Sequence, residues 1–294
     1  MPFLTSAGRR IYYERHGTGP AILFLHGAGS NAATWWQQLP VFSSRYSCLT
    51  MDIRCFGRSV APTSEFDLGL MADDVLALLD AERVHQAVVI GQSLGGMIGL
   101  RVALRHPKRV AGFVACDSSM AIDHPALLEL VSKRLHSARA LSIEQRSLGK
   151  WFVEQHPPLA ALYAQINHFN PSAQAIPAEQ WQDALASLLA PAALTPVDAL
   201  RELACPTLFL VGSEDPLVPA SVMHECSGLV PDSAVVVIEQ AGHSAYFEKP
   251  QEFNRLVIEF IAGRVELASD RAPTLFQPGL TAAASAAQIR DRVQ

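Results

Sequence analysis

The stretch Ala87-Val88-Val89-Ile90-Gly91-Gln92-Ser93-Leu94-Gly95-Gly96 is an apolar run that stops at a serine bracketed by glycines. Four residues suited to a β-strand open it. Leu94-Gly-Gly-Met-Ile-Gly-Leu-Arg-Val-Ala-Leu-Arg105 follows with helical character. A strand running straight into a helix forces the residue between them into a strained backbone conformation, and small neighbours relieve the crowding. The serine hydroxyl is pushed clear of the sheet, which is the geometry of a nucleophile elbow. A glycine-rich strand end can also serve close helix packing alone. The strand before the serine and the helix after it favour the chemical reading.

Outward from this stretch, strand and helix signals alternate. Arg10–His16 reads as a strand, then the turn Gly17-Thr-Gly-Pro20, then the buried run Ala21–Leu25. Asn31 can cap a helix over Ala32–Leu39. Ser47–Ile53, Val110–Asp117, Thr207–Gly212 and Ala234–Ile238 read as further strands, with amphipathic helices at Leu70–Asp80 and Gln251–Ala262. Such alternation predicts an α/β fold with a mostly parallel sheet flanked by helices. Residues 121–200 break the pattern: they show no convincing strand and several helical segments, at Ala126–His136, Ser142–Gln155 and Ala178–Ala190. The expected organisation is a core of 1–120 and 201–265, an inserted helical cap at 121–200, and a tail at 266–294 with a short helix from Ala282.

Composition narrows the function classes. The 294 residues are 49% hydrophobic with a net charge of −5, and Lys and Arg are scattered, so neither a nucleic-acid footprint nor a polybasic membrane patch is expected. No apolar stretch reaches the roughly 18 residues of a membrane span. The opening residues lack an apolar signal region. The five cysteines (Cys48, Cys55, Cys116, Cys205 and Cys226) form neither a C-x-x-C pair nor a metal-ligand spacing. A cytoplasmic protein with free thiols is the expectation, without metal or cofactor.

A serine hydroxyl is a poor nucleophile at neutral pH and needs a base, which in turn needs an orienting acceptor. Both should come from loops at the strand ends. Of ten histidines, His243 follows the strand 234–238 through a glycine-containing loop and precedes the packing helix. Asp215, presented after Gly212 by a loop stiffened by Pro216 and Pro219, is the expected acid; Asp117, ending another strand, is its rival. The N–H of Leu94, at a helix N-terminus, can donate to an oxyanion, with Ala28 as second donor and Gly29 close behind. Trp35, Trp36, Met97, Met120, Leu217, Val218 and Phe247 lie near these loops and are the expected apolar pocket, although packing explains most such residues. Arg54 reads as structural, and no arginine cluster awaits a carboxylate.

His26-Gly-Ala-Gly, Asp52-Ile-Arg-Cys-Phe-Gly-Arg-Ser59, Gly91-Gln-Ser-Leu-Gly-Gly96, Gly212-Ser-Glu-Asp215 and Gly242-His243 together resemble the successive motifs of the α/β-hydrolase fold family. The order Ser, Asp, His is that of the family. The resemblance implies an eight-stranded sheet and a Ser93–His243–Asp215 triad. It is nearest the capped serine hydrolases, such as 3-oxoadipate enol-lactonases, carboxylesterases and C–C bond hydrolases. Ser93 argues against the dehalogenase and epoxide hydrolase branches, which use aspartate there. Cys55 departs from the glycine usual at its place; it either brings a thiol to the pocket rim or fills a permissive turn. The implied activity is cleavage of a small apolar or aromatic ester, lactone or C–C bonded ketone through an acyl-enzyme. A lyase, a cofactor-free haloperoxidase and a ligand receptor built on a slow hydrolase are the alternatives. The expected partner is a small-molecule substrate, and oligomeric state is unread.

Overall fold

Continuous apolar runs make strands that are covered on both faces. β3 (Ala21–Leu25), β4 (Ser47–Met51), β5 (Ala87–Gln92), β6 (Val110–Cys116) and β9 (Thr207–Gly212) are buried at every residue. With β1 (Phe3–Ser6), β2 (Arg9–His16) and β10 (Ser233–Ile238) they form an eight-stranded sheet in the order β1-β2-β4-β3-β5-β6-β9-β10. The strands from β4 to β10 pair in parallel, and β1 and β2 join antiparallel at one edge. This is a computed structural model, and it describes residues 3–137, 141–169 and 176–267.

Alternate side chains of each strand enter two cores, as the two-residue period of a strand requires. Ile22, Phe24, Val88, Ile90, Leu208 and Leu210 pack under helix Pro250–Arg264 together with Trp35 and Phe42. Leu23, Leu25, Val89, Phe113 and Phe209 pack on the other face, under helices Leu68–Ala81 and Leu94–Arg105. β3 has β4 on one side and β5 on the other, so the chain changes direction across the sheet at this strand. A crevice opens outside the carboxyl ends of strands at such a point.

The segment between β6 and β9 is mostly helical, with helices at Pro125–Ser137, Ile143–Ser147, Lys150–Gln155, Pro157–His168 and Ala178–Ala186. The single helix expected over 142–155 is two, broken at Leu148-Gly149. The one expected over 32–39 is a 3-10 turn, Ala32–Trp35, capped by Asn31 and followed by a short helix at Leu39–Phe42. Pro40 has no N–H to continue the first ladder. The insertion also contains strand where none was expected. β7 (Ile122–Asp123) pairs in parallel with β8 (Thr195–Pro196), and the Thr195 N–H donates to the Ala121 carbonyl at 2.7 Å, drawing the two ends of the insertion together. Two-residue strands carry no period to read. The tail expected at 266–294, with its helix from Ala282, lies outside the described residues from 268 onward. Among the described residues no helix is long and apolar enough to cross a membrane.

Candidate active site

Ser93 sits between β5 and helix Leu94–Arg105 with φ +49° and ψ −111°, a conformation that costs a non-glycine residue about 1–3 kcal/mol. The flanking glycines are needed for space: a Cβ on Gly91 would lie 2.3 Å from the Gly95 carbonyl oxygen, and one on Gly95 would lie 2.2 Å from that of Leu25. The elbow therefore presses against β3 and the loop after it.

His243 and Asp215 reach the same point from β10 and β9. The Ser93 hydroxyl lies 3.0 Å from His243 Nε2, and His243 Nδ1 lies 2.8 Å from Asp215 Oδ2. The other Asp215 oxygen accepts the N–H groups of Leu217 at 2.8 Å and Val218 at 3.2 Å. This carboxylate side chain is fully buried. Burial opposes charge on His243, but the Asp215 charge and hydrogen bond, with Asp117 behind, outweigh it and leave the imidazole pKa above its ordinary 6.5. Gln92, one residue before the serine, donates from Nε2 to the His243 carbonyl at 2.7 Å.

Of the two expected oxyanion donors, Leu94 follows Ser93 directly in the chain, and Ala28 follows Gly27, which packs against the serine. Leu94 opens its helix, so its N–H has no acceptor within it. Ala28 is exposed in a turn closed by the Ser30 N–H on the Gly27 carbonyl, with Gly29 at φ +84°. A Cβ on Gly27 would come within 3.3 Å of Ser93 Cβ, which sets that turn against the serine. His26 is a structural residue. Ile53 N–H donates to its Nε2 at 2.9 Å, so Nδ1 carries the proton and donates to the Gly27 carbonyl.

The expected pocket residues divide. Met97 lines a narrow apolar cavity beneath the helical insertion, with Leu127, Val131 and Leu188. Trp35 does not: it is wholly buried on the far core, 4.5 Å from Tyr246 and 5.2 Å from Phe24 between ring centres. Phe247 is packing as well, 5.0 Å from the Tyr163 ring. Met120 is fully buried in the core at φ +54°, and Trp36 is 44% exposed. Leu217 and Val218 serve Asp215 through their backbones. Apolar side chains near a site are drawn to whichever core lies within reach, and proximity in sequence does not say which.

Asp117, the rival acid, bonds backbone N–H groups rather than the His243 imidazole. Its Oδ1 accepts Gly212 N–H and its Oδ2 accepts Ala245 N–H, each at 2.9 Å, tying the loop of Asp215 to that of His243. Glu248 was not singled out in the sequence, although it stands five residues after His243. Its buried carboxylate accepts the N–H groups of Gly242 and Ser244 on one oxygen and of Gly149, in the insertion, on the other. Glu214 accepts the Trp151 N–H at 3.2 Å, and Tyr163 meets the Ser244 hydroxyl at 2.9 Å. Cys55 is buried at φ +73°, and burial pushes its thiol up to about 12, so it fills a turn. Arg54 is buried on Asp74 and Glu65, as a structural residue is. All five cysteines are buried thiols outside any disulfide.

A family model described as alpha/beta hydrolase fold matches residues 20–250. This chain belongs to the alpha/beta hydrolase fold family. Among relatives of this α/β hydrolase, a pimeloyl-[acyl-carrier protein] methyl ester esterase of Aeromonas hydrophila is 30% identical, over 85% of this chain and 99% of the relative. A 3-oxoadipate enol-lactonase of Acinetobacter baylyi is 26% identical, over 86% and 94%. Among solved structures, an N-acyl homoserine lactone degrading enzyme superposes with a TM-score of 0.76 at 27% identity, covering 88% of the α/β hydrolase chain and 100% of its own.

Proposed function

We propose that the protein is a serine hydrolase that cleaves small apolar esters or lactones through an acyl-enzyme. The observation that carries this reading is the continuous relay from Ser93 through His243 to Asp215, at 3.0 and 2.8 Å. His243 Nε2 takes the Ser93 proton as Oγ attacks the carbonyl carbon. The resulting oxyanion is met by the N–H groups of Leu94 and Ala28, fixed dipoles that need no reorganisation. His243 then returns the proton to the leaving alkoxide, and the C–O bond breaks. In the second half a water gives its proton to His243 and attacks the acyl carbon, releasing the acid and restoring Ser93. Asp215 holds Nδ1–H throughout and stabilises the imidazolium, and its own two backbone donors keep it in place.

The helical segment 121–200 acts as a cap. Bonds from Glu248 to Gly149 and from Ser244 to Tyr163, on the side of the His243 loop, and from Glu214, beside Asp215, to Trp151 support that reading. The ester and lactone names of the relatives favour an acyl–oxygen bond over a carbon–carbon one. Turnover of a panel of p-nitrophenyl esters and simple lactones tests the reading. Hydrolysis that Ser93→Ala reduces by several orders of magnitude supports it. Undiminished hydrolysis in that variant, or one slow turnover with the ligand retained, would overturn it.

A further inference from the structure

Asn31 stands three residues after Ala28 in the loop that follows β3, and it is 1% exposed. Its Oδ1 accepts the Ala33 N–H at 3.0 Å and so caps the 3-10 turn Ala32–Trp35. Its Nδ2 donates to two carbonyls of the insertion, that of Ile166 at 2.9 Å and that of Phe169 at 3.1 Å. Both lie where helix Pro157–His168 ends, and carbonyls there have no partner further along their own helix. One carboxamide therefore closes a turn of the core and the end of a helix of the insertion, across 135 and 138 positions of chain.

That arrangement demands this residue type. A carboxamide carries two donors and an acceptor on one short stem, whereas an aspartate offers acceptors alone and a serine a single donor. Turning the amide round would set its oxygen against two carbonyl oxygens. The next N–H in the chain, that of Ala32, donates to Asp52 Oδ1 at 2.8 Å, and Asp52 is wholly buried at the end of β4. The loop is thus fastened to the sheet at Ala32 and to the insertion at Asn31. The turn that bears Ala28, closed by the Ser30 N–H on the Gly27 carbonyl at 3.1 Å, runs directly into this double fastening.

The same part of the insertion is bonded to the other loops of the site. Gly149 and Tyr163 meet Glu248 and Ser244 on the side of His243, and Trp151 meets Glu214 beside Asp215. With Ile166 and Phe169, segment 149–169 touches the loops of all three. Of these bonds, those of Asn31 are the ones that reach the loop of Ala28.

Resting on the hydrolase reading, we propose that Asn31 is a positioning residue for the oxyanion site, transmitting the placement of helix Pro157–His168 to the turn of Ala28. A backbone donor stabilises an oxyanion to the extent that it is held where the charge develops. Loosening the tie therefore acts on the step that forms the oxyanion and leaves the proton relay of His243 in place.

Asn31→Ser and Asn31→Asp both keep an oxygen that can cap the 3-10 turn, and both lose the pair of donors to the helix end. Wild type and variants are compared on p-nitrophenyl acetate and on its thiono analogue, whose sulfur accepts hydrogen bonds poorly. Both variants should lose about 10- to 100-fold in kcat/KM on the oxygen ester, up to the lower end of what outright removal of a donor costs. The thiono ester should lose far less, so that the ratio of the two falls, and the acid limb of the pH profile should not move. Equal losses on the two esters would assign Asn31 to folding alone and overturn the proposal, as would an unchanged rate on the oxygen ester. Hydrogen exchange gives a readout that needs no turnover. Faster exchange of the Ser30 and Phe169 amides together in Asn31→Ser supports the tie even if wild type hydrolyses neither ester, in which case the hydrolase reading alone fails. Faster exchange at Phe169 with Ser30 unchanged would overturn the tie.

Discussion

Glu248 joins the loop of His243 to the helical insertion: one carboxylate oxygen accepts the Gly149 N–H at 2.8 Å, and the other accepts the Gly242 N–H at 2.9 Å. A single buried side chain therefore ties the loop of His243 to the insertion. Replacing it by glutamine puts an NH2 group opposite at least one backbone donor. Glu248→Gln is expected to destabilise the protein by about 1–3 kcal/mol, the cost of a buried donor left unsatisfied. Hydrogen exchange should report it as faster exchange at Gly149 or Gly242. Unchanged exchange at both glycines would show that the clamp carries no strain of its own.

Burial pushes the Glu248 carboxyl up to about 8 from its ordinary 4.5, against the pull of its backbone donors, and Asp117 is raised by burial and by the Asp215 charge. Between the unfolded and folded pKa values the native state holds more protons than the unfolded chain, so stability falls as pH rises. The contribution is complete below about pH 4.5 and lost as pH passes about 8. Thermal melts should therefore show a decline from pH 6 to pH 9, shallower in Glu248→Gln. Equal slopes in the two proteins would assign the decline to other groups.

Asp215 and Asp117 are both buried carboxylates near His243, but only Asp215 bonds the imidazole. Asp215→Asn should lower kcat on the order of 10³- to 10⁴-fold, because the amide supports the wrong tautomer. It should also move the acid limb of kcat/KM to lower pH, since burial then acts on His243 without its main opposing charge. Asp117→Asn should cost more in melting temperature than in turnover, as one of its two backbone donors would face an NH2. Steady-state kinetics across pH with paired melts checks both, and the reverse ranking would make Asp117 the acid.

Arg54 donates to both oxygens of Asp74, at 2.8 and 2.6 Å, and to Glu65 at 2.7 Å, with the Arg54 and Asp74 side chains at 1% and 0% exposure. Removing one member strands the other. Arg54→Met should destabilise by about 3–5 kcal/mol, visible in urea unfolding. A loss under 1 kcal/mol, far short of that range, would mean that the site relaxes or admits water.

The central strands and the elbow were legible because each carries its own local signature: a run of apolar β-formers, or a serine between glycines with strand before and helix after. His243 and Asp215 were legible from their loops, since strand ends converge in a parallel sheet. The pocket was not. Trp35 and Phe247 flank the site in sequence, yet their rings turn into the far core, a choice made by Phe24, Tyr246 and Tyr163. Glu248 was equally hidden, because a glutamate at the end of a short helical turn has the sequence of a solvated residue. Only the fold brings Gly149 to it across 99 positions.

The contact between Gly149 and Gly242 sets a rule for exchange of parts. Each glycine occupies the volume that the other's side chain would need, so no larger residue fits at either place without parting the two surfaces. A cap grafted from another member of the family would have to present bare backbone at its counterpart of Gly149, whatever else it carried. Variation elsewhere in the insertion leaves this joint beside His243 intact.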